Sequence, residues 1–215
     1  MDIVVGGGKY GLEAVEYLMK HQRDFVVVDV DEDCMVQQKY GFGVIDAGIK
    51  PAKGRLFVRG GIGEVLKLVE ELKPEYVFPT APIHIAAALL TEKYGFEPWN
   101  EGVDCILPGL PAKIVVSVAR GSIIVSYNRD GDCLPKCRAP DVCPVTGAKK
   151  PAPMYELLRF AAPDGFIIQS HYLEPGLGAL KGEDVLNLLI WASERQEAVV
   201  GTACRCHGVV TALKR

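Results

Sequence analysis

The chain has no large excess of charge of either sign. Twenty-four Lys and Arg stand against 27 Asp and Glu, a formal net charge of -3 over 215 residues. A nucleic-acid or anionic-membrane surface needs a basic patch to neutralise it, so both are set aside as partners. No apolar run reaches the roughly 18 residues that span a bilayer, and no basic stretch precedes an apolar signal core at the N-terminus. The expected location is therefore cytoplasmic. Nucleophile and phosphate-loop motifs are missing as well: no G-x-S-x-G, no H-E-x-x-H and no Walker lysine-serine pair occurs, which leaves hydrolase and P-loop readings without support. There is no internal repeat and no low-complexity tract.

What is present describes an ordinary globular chain, 49% hydrophobic and 24% charged, long enough for one large domain or two small ones. It opens with Asp2-Ile3-Val4-Val5 followed by Gly6-Gly7-Gly8-Lys9-Tyr10-Gly11, and Asp29 closes the next apolar run, Phe25–Val28. Strand, G-x-G-x-x-G, helix, strand and acid, in that order, form a dinucleotide-binding fingerprint. Gly6 would allow the tight turn, Gly8 the approach of a pyrophosphate, and Gly11 the close packing of helix on strand. The phosphates would lie over the N-terminus of the helix that starts near Tyr10, with Lys9 and Tyr10 in the cofactor-binding set, where unpaired N–H groups and the helix dipole favour an anion. Asp29 would accept hydrogen bonds from a ribose, and its charge disfavours a 2′-phosphate, which selects NAD over NADP.

Residues 1–110 alternate strand and helix signals. Ile3–Val5, Phe25–Val28 and Tyr76–Phe78 read as buried strands, and Tyr10–His21, Glu32–Tyr40, Glu64–Leu72 and Ile83–Tyr94 as helices. Val44–Ile45 and Arg55–Val58 compete for the remaining strand. This pattern predicts an α/β fold: an N-terminal Rossmann-like, doubly wound parallel sheet. Pro79-Thr80-Ala81-Pro82 makes a rigid turn at the carboxyl end of the strand at Tyr76, the edge where such sheets bind ligands, and Thr80 is placed near the nicotinamide. Turn-rich segments around Pro98 and Pro108 mark a boundary, and residues 111–215 are expected to form a smaller α+β domain with a Cys-rich loop. Within it Ile114–Val118 and Ser122–Tyr127 flank Arg120-Gly121 as a hairpin.

Seven cysteines are many for a cytoplasmic chain, where thiols stay reduced and clustered spacing signals metal or redox chemistry. Cys34 and Cys105 stand alone. Cys133, Cys137 and Cys143 lie in a long irregular segment, Asn128–Pro153, which needs something to fix it. Cys204 and Cys206, directly after the strand Ala198–Thr202 and on one side of it if it continues, can complete a metal site with those three. Zinc accepts four thiolates or three and a histidine, and an iron–sulfur cluster tolerates the irregular spacing. Iron–sulfur is preferred and zinc is the alternative, with Lys136, Arg138 and Arg205 offsetting the thiolate charge. Free thiols, or a Cys133–Cys143 disulfide, are the readings without metal. His84 and His171 face a choice between a ligand role and a solvated surface, His207 gains a metal reading from its neighbours, and no catalytic residue is assigned. Gly176–Glu183 is a second glycine-rich stretch opening a helix, where a phosphate or carboxylate could bind, and its plainer reading is a flexible connection before the helix cap.

The first half resembles the NAD-binding Rossmann superfamily, most nearly the regulatory domains of potassium uptake (Trk-type, or RCK). The resemblance rests on Gly6, Gly8, Gly11, Asp29 with Asp31, and Ile45-Asp46-Ala47, which is similar to those domains' G-D-A segment and adds Asp46 to the cofactor-binding set. The sirohaem-forming dehydrogenases open on a similar G-G-G turn. The expected function is an NAD-dependent redox protein, an oxidoreductase acting on an unknown small molecule or electron-transfer partner and possible as a homo-oligomer. The alternatives are a non-enzymatic nucleotide or redox sensor, and a transferase using S-adenosylmethionine.

Overall fold

The computed structural model describes residues 1–45 and 53–215. In chain order the elements are β1 (Asp2–Val5), α1 (Lys9–Lys20), β2 (Phe25–Asp29), α2 (Met35–Tyr40), β3 (Gly43–Ile45), β4 (Arg55–Arg59), α3 (Ile62–Leu72), β5 (Tyr76–Pro79) and α4 (Ile85–Tyr94). There follow β6 (Glu97–Pro98), α5 (Asn100–Ile106), β7 (Val115–Ala119), β8 (Ser122–Ser126), α6 (Met154–Ala161), β9 (Phe166–Glu174), β10 (Leu177–Lys181), α7 (Gly182–Ala192), β11 (Glu197–Ala203) and β12 (His207–Lys214). The fold is mixed α/β. It divides into two compact units, Met1–Lys93 with Ala179–Leu189, and Tyr94–Gly178 with Ile190–Arg215. They are of nearly equal length.

In unit 1 the strands β3-β4-β2-β1-β5 lie parallel in that order, and β10 closes the β5 edge antiparallel, with Leu180 opposite Val77. Both segments that competed for one strand are strands, and β4 sits between β2 and β3. The apolar runs follow from burial: every residue of β1 and the first four of β2 are buried, as central parallel strands require. Phe25, Phe57 and Phe78 from three strands and Leu18 from α1 fill the core, each worth about 2 kcal/mol of apolar burial. α1 turns Gly11, Ala14, Val15 and Leu18 inward at helical spacing. α3 ends where Lys73 adopts a left-handed conformation (φ 46°) just before Pro74, which cannot continue a helix.

The buried Asp2 is the polar exception in this sheet. Arg23 donates to both of its oxygens, at 2.5 and 3.0 Å, and the Tyr76 N–H donates at 2.9 Å. The carboxylate thereby ties β1, β5 and the α1–β2 turn together. Its hydrogen bond and that of Glu75, with both negative charges, hold the Arg23 pKa above the usual arginine range against the opposing effect of burial.

In unit 2, β9 and β11 pair parallel, and β11-β12-β8-β7 continue antiparallel, with β6 on β12. The expected hairpin forms: Arg120 (φ 49°) and Gly121 (φ 73°) both take positive φ, as a two-residue turn between twisted strands requires. The stretch read as a boundary contains α5, whose Val103 and Ile106 pack with Ile123, Met154, Leu158 and Val210 in this unit's core. The segment read as a flexible glycine connection contains β10. The strand β12, absent from the sequence reading, carries the buried run Val210–Leu213.

Candidate functional site

The carboxyl ends of the unit 1 strands gather the fingerprint residues. The chain leaves β1 toward β2 on one side and later returns to β5 on the other, so the strand order reverses at β1. In open α/β sheets, that reversal leaves a crevice where ligands bind. Gly6 takes φ 103°, and a Cβ there would meet the Ala81 nitrogen at 2.8 Å. A Cβ on Gly11 would come within 2.0 Å of the Gly6 carbonyl oxygen, so packing alone demands both glycines. Gly7 is closed in by Cys34, whose Sγ would sit 2.3 Å from an added Cβ. Gly8 differs: it is exposed, caps the N-terminus of α1, and has no heavy atom within 4 Å of an added Cβ. No side chain caps α1, and its first turn holds no acid.

Asp29 reaches into this loop. Its Oδ2 accepts the Gly7 N–H at 2.5 Å and its Oδ1 the Asp31 N–H at 2.9 Å, and each carboxylate oxygen keeps a lone pair for a further donor. Thr80 Oγ1 lies 2.8 Å from both the Val5 and Gly6 carbonyl oxygens, fixing the end of β1 to the β5 turn. Lys9 and Tyr10 are exposed, with the Lys9 ammonium 5.8 Å from the Tyr10 ring centroid. Asp46 lies outside the described residues. Burial pushes the His84 pKa down to about 3, so its ring is neutral near pH 7. One feature of this edge escaped the sequence reading: Tyr10, Val30, Met35 and Ile83, which follow β1, β2 and β5, are 61%, 69%, 46% and 50% exposed. Their positions just after strands were legible, but their exposure was not.

In unit 2 the long irregular segment is fastened to the β11–β12 turn. Arg205 pairs with Asp141 at 2.5 Å, Lys150 donates to the Pro140 carbonyl, and the Met154 N–H donates to Arg205 O at 3.1 Å. Cys204 and Cys206 do not share a strand face as expected. They occupy a tight turn closed by the Cys204 N–H to His207 O at 2.9 Å. The sulfurs accept backbone donors: Cys204 Sγ from the Cys206 and His207 N–H groups, each at 3.3 Å, and Cys137 Sγ from Ala139 at 3.4 Å. His207 lies between two thiols, Nε2 at 3.1 Å from Cys133 Sγ and Nδ1 at 3.7 Å from Cys204 Sγ. Burial raises the Cys204 pKa, but hydrogen bonds from His207 and the Cys206 N–H outweigh it and the net shift is downward. Cys143 behaves alike: burial raises its pKa, and Thr146 donors, the Val145 N–H and Lys150 bring it below the usual value. Burial dominates at Cys206 and Cys34, which are both shifted up. All seven cysteines are free thiols. Among the described residues no three His, Cys, Asp or Glu side chains gather closely enough to hold a metal ion; the contacts run through His207. Asn128, Thr146 and Lys150, which support these sulfurs, were not assigned this role from the sequence, although Thr146 stands in the turn Cys143-Pro144-Val145-Thr146-Gly147.

Fold and site define an α/β protein with a glycine turn at a parallel-sheet edge and a separate, cysteine-rich unit. Two family models match, one described as "Uncharacterized protein, N-terminal domain" over residues 1–85 and the other as "Uncharacterized protein, C-terminal domain" over 86–215. The chain belongs to the family these two domains define. It is similar, 53% identical over 215 residues and the full length of both chains, to an "Uncharacterized protein" of Archaeoglobus fulgidus. No solved structure matches. The kinship with potassium-uptake regulators and the NAD-binding Rossmann superfamily is therefore corrected, because the models covering the chain are those of another family. The physical reason the motif misled is plain from Gly6 and Gly11: local packing imposes both, whatever their ancestry. Among the described residues no helix is long and apolar enough to cross a membrane.

Proposed function

We propose that the protein binds NAD at the carboxyl edge of the unit 1 sheet and works in redox chemistry, with the cysteine-rich unit ligating a metal. The observation that carries this reading is the coincidence, on one sheet edge, of an open Gly8 over an uncapped helix N-terminus, a half-buried carboxylate and four exposed apolar side chains. A diphosphate suits the first, ribose hydroxyls the second, and a flat base the third, the exposed apolar groups in the segments that follow these strands. The parallel strand order with its reversal at β1 supports a Rossmann-like doubly wound arrangement.

The donor set of unit 2 suits a thiophilic metal. Backbone N–H groups and His207 directed at Cys204 favour the thiolate form that metals require. Cys133, Cys137, Cys143, Cys204 and Cys206 would supply the thiolates, and because no three such side chains among the described residues stand close enough together to hold an ion, binding would require the loop to draw in around it. An iron–sulfur cluster would supply one-electron transfer there, whereas zinc would only fix the loop. Two measurements test the reading. Isothermal titration with NADH, NADPH and S-adenosylmethionine should give saturable binding of NADH first; binding of S-adenosylmethionine alone, or of none, ends the NAD assignment. Metal and sulfide analysis with visible absorption on protein purified without oxygen should find iron and a broad brown band; zinc alone removes the redox role of the thiols, and neither metal removes the site.

A further inference from the structure

The chain has two tryptophans, and both line one cavity in unit 2. We infer that this cavity is a second small-molecule site, unrelated to the nucleotide and metal readings, that takes a free α-amino acid with an apolar side chain. Its volume is about 310 Å³, at the lower end of the range of ligand pockets. Its walls come from four separated segments: α5, the turn after α6, the end of α7 and the start of β11.

The wall combines an apolar floor with a polar rim of similar extent. The Trp99 indole packs directly against residue 102 because that residue is glycine: an added Cβ would meet the indole at 2.4 Å. Ile106, Ala198 and Val199 continue that apolar floor. Trp191 contacts Phe166, ring centroids 5.5 Å apart, and Arg195, whose guanidinium carbon stands 4.2 Å from the indole centroid. That cation–π contact places the guanidinium at the rim, where its N–H donors can take a carboxylate in a two-pronged contact.

The charges of the lining are the deciding feature. Arg195, Asp164 and Glu197 all face the cavity, yet among the described residues none of them forms an ion pair with another. One cation and two anions, all three exposed at the rim and none paired with another, surround an apolar floor and complement a zwitterion: its carboxylate toward Arg195, its ammonium toward Asp164 and Glu197, its side chain against Trp99 and Ile106. A purely anionic ligand would meet two repulsive carboxylates, and a purely apolar one would strip water from three charges without replacing it.

Because both tryptophans report on this cavity, their emission is the assay. Titrating the full-length protein with L-leucine should give a saturable change in tryptophan fluorescence, with a matching binding heat. N-acetyl-leucine and leucinamide, each lacking one charge, should bind at least tenfold more weakly. Arg195→Met should abolish the leucine response while circular dichroism stays unchanged, and Glu197→Gln should weaken it. The inference is overturned if leucine gives no saturable signal, if either blocked compound binds as well as leucine, or if Arg195→Met leaves the response intact. A saturable NADH or AMP signal lost in Arg195→Met would likewise overturn it, by giving the cavity to a nucleotide.

Discussion

Replacing Gly8 by aspartate should push stability and nucleotide affinity in opposite directions, an outcome that an empty turn would not produce. Gly8 has extended backbone angles (φ −75°, ψ −158°) and no heavy atom within 4 Å of an added Cβ, so the side chain enters without strain. It then caps an uncapped helix that carries no acid in its first turn. Aspartate at that position is worth a few tenths of a kcal/mol over glycine as a cap, and its charge at the dipole's positive end adds about 0.3–1 kcal/mol. At about 2–4 °C per kcal/mol for a chain of this size, the melting temperature should rise by about 1–4 °C. The same carboxylate stands where the diphosphate would lie. Two unit charges about 4 Å apart cost about 1 kcal/mol in water and about 4 kcal/mol near a protein surface. At this exposed position a penalty of about 2 kcal/mol against the diphosphate is reasonable, which is about a 30-fold loss of affinity. Scanning fluorimetry and NADH titration of wild type and Gly8→Asp measure both quantities. Unchanged NADH affinity in the variant, or a lowered melting temperature, refutes the reasoning.

Gly11→Ala should destabilise with or without ligand, by about 3 kcal/mol, because the methyl group meets the backbone oxygen of Gly6 and no side chain can move aside to relieve it; urea unfolding reads this directly. Asp2→Asn leaves Arg23 facing a neutral amide in a buried setting and should cost about 3 kcal/mol, with Glu75 still holding the guanidinium; a cost under about 1 kcal/mol would show the pair to be incidental. His84 sets a pH dependence. Its folded pKa of about 3 lies below the unfolded value, so between about 6.5 and 3 the unfolded chain binds the extra proton and stability falls as pH is lowered. His84→Gln should flatten the stability profile below pH 6.5, as followed by denaturant midpoints across pH. Cys137→Ser and Cys204→Ser should each lower the metal content of protein purified without oxygen, whereas Cys105→Ser, at an exposed cysteine outside the clusters, should not.

The strands of unit 1 were legible because a strand buried on both faces has no polar positions to spare: Ile3–Val5 and Phe25–Val28 announce themselves in isolation. The strand β10 was hidden because Gly176, Gly178 and Gly182 look like a flexible link. One of those glycines is demanded by a contact distant in sequence: a Cβ on Gly182 would lie 1.8 Å from the Pro74 oxygen. The strand β12 was missed for a related reason. Its Val209-Val210-Thr211 run follows two cysteines and a histidine, residues that drew the reading toward chemistry and away from pairing with β8 and β11.

The site divides along the same line. Sequence alone placed a glycine turn before a helix and an acid after the next strand, since each depends only on near neighbours in the chain: a tight turn, a helix start, the end of an apolar run. It also counted the thiols and put five of them in two groups. Only the tertiary structure decided that Gly8 alone of the glycine turn stays open, that Asp29 already holds the Gly7 N–H, and that His207 stands between Cys133 and Cys204. It alone decided, too, that both tryptophans line one cavity. Those outcomes turn on distances between segments tens of residues apart, set by which faces pack together, and no local pattern of residue types contains them.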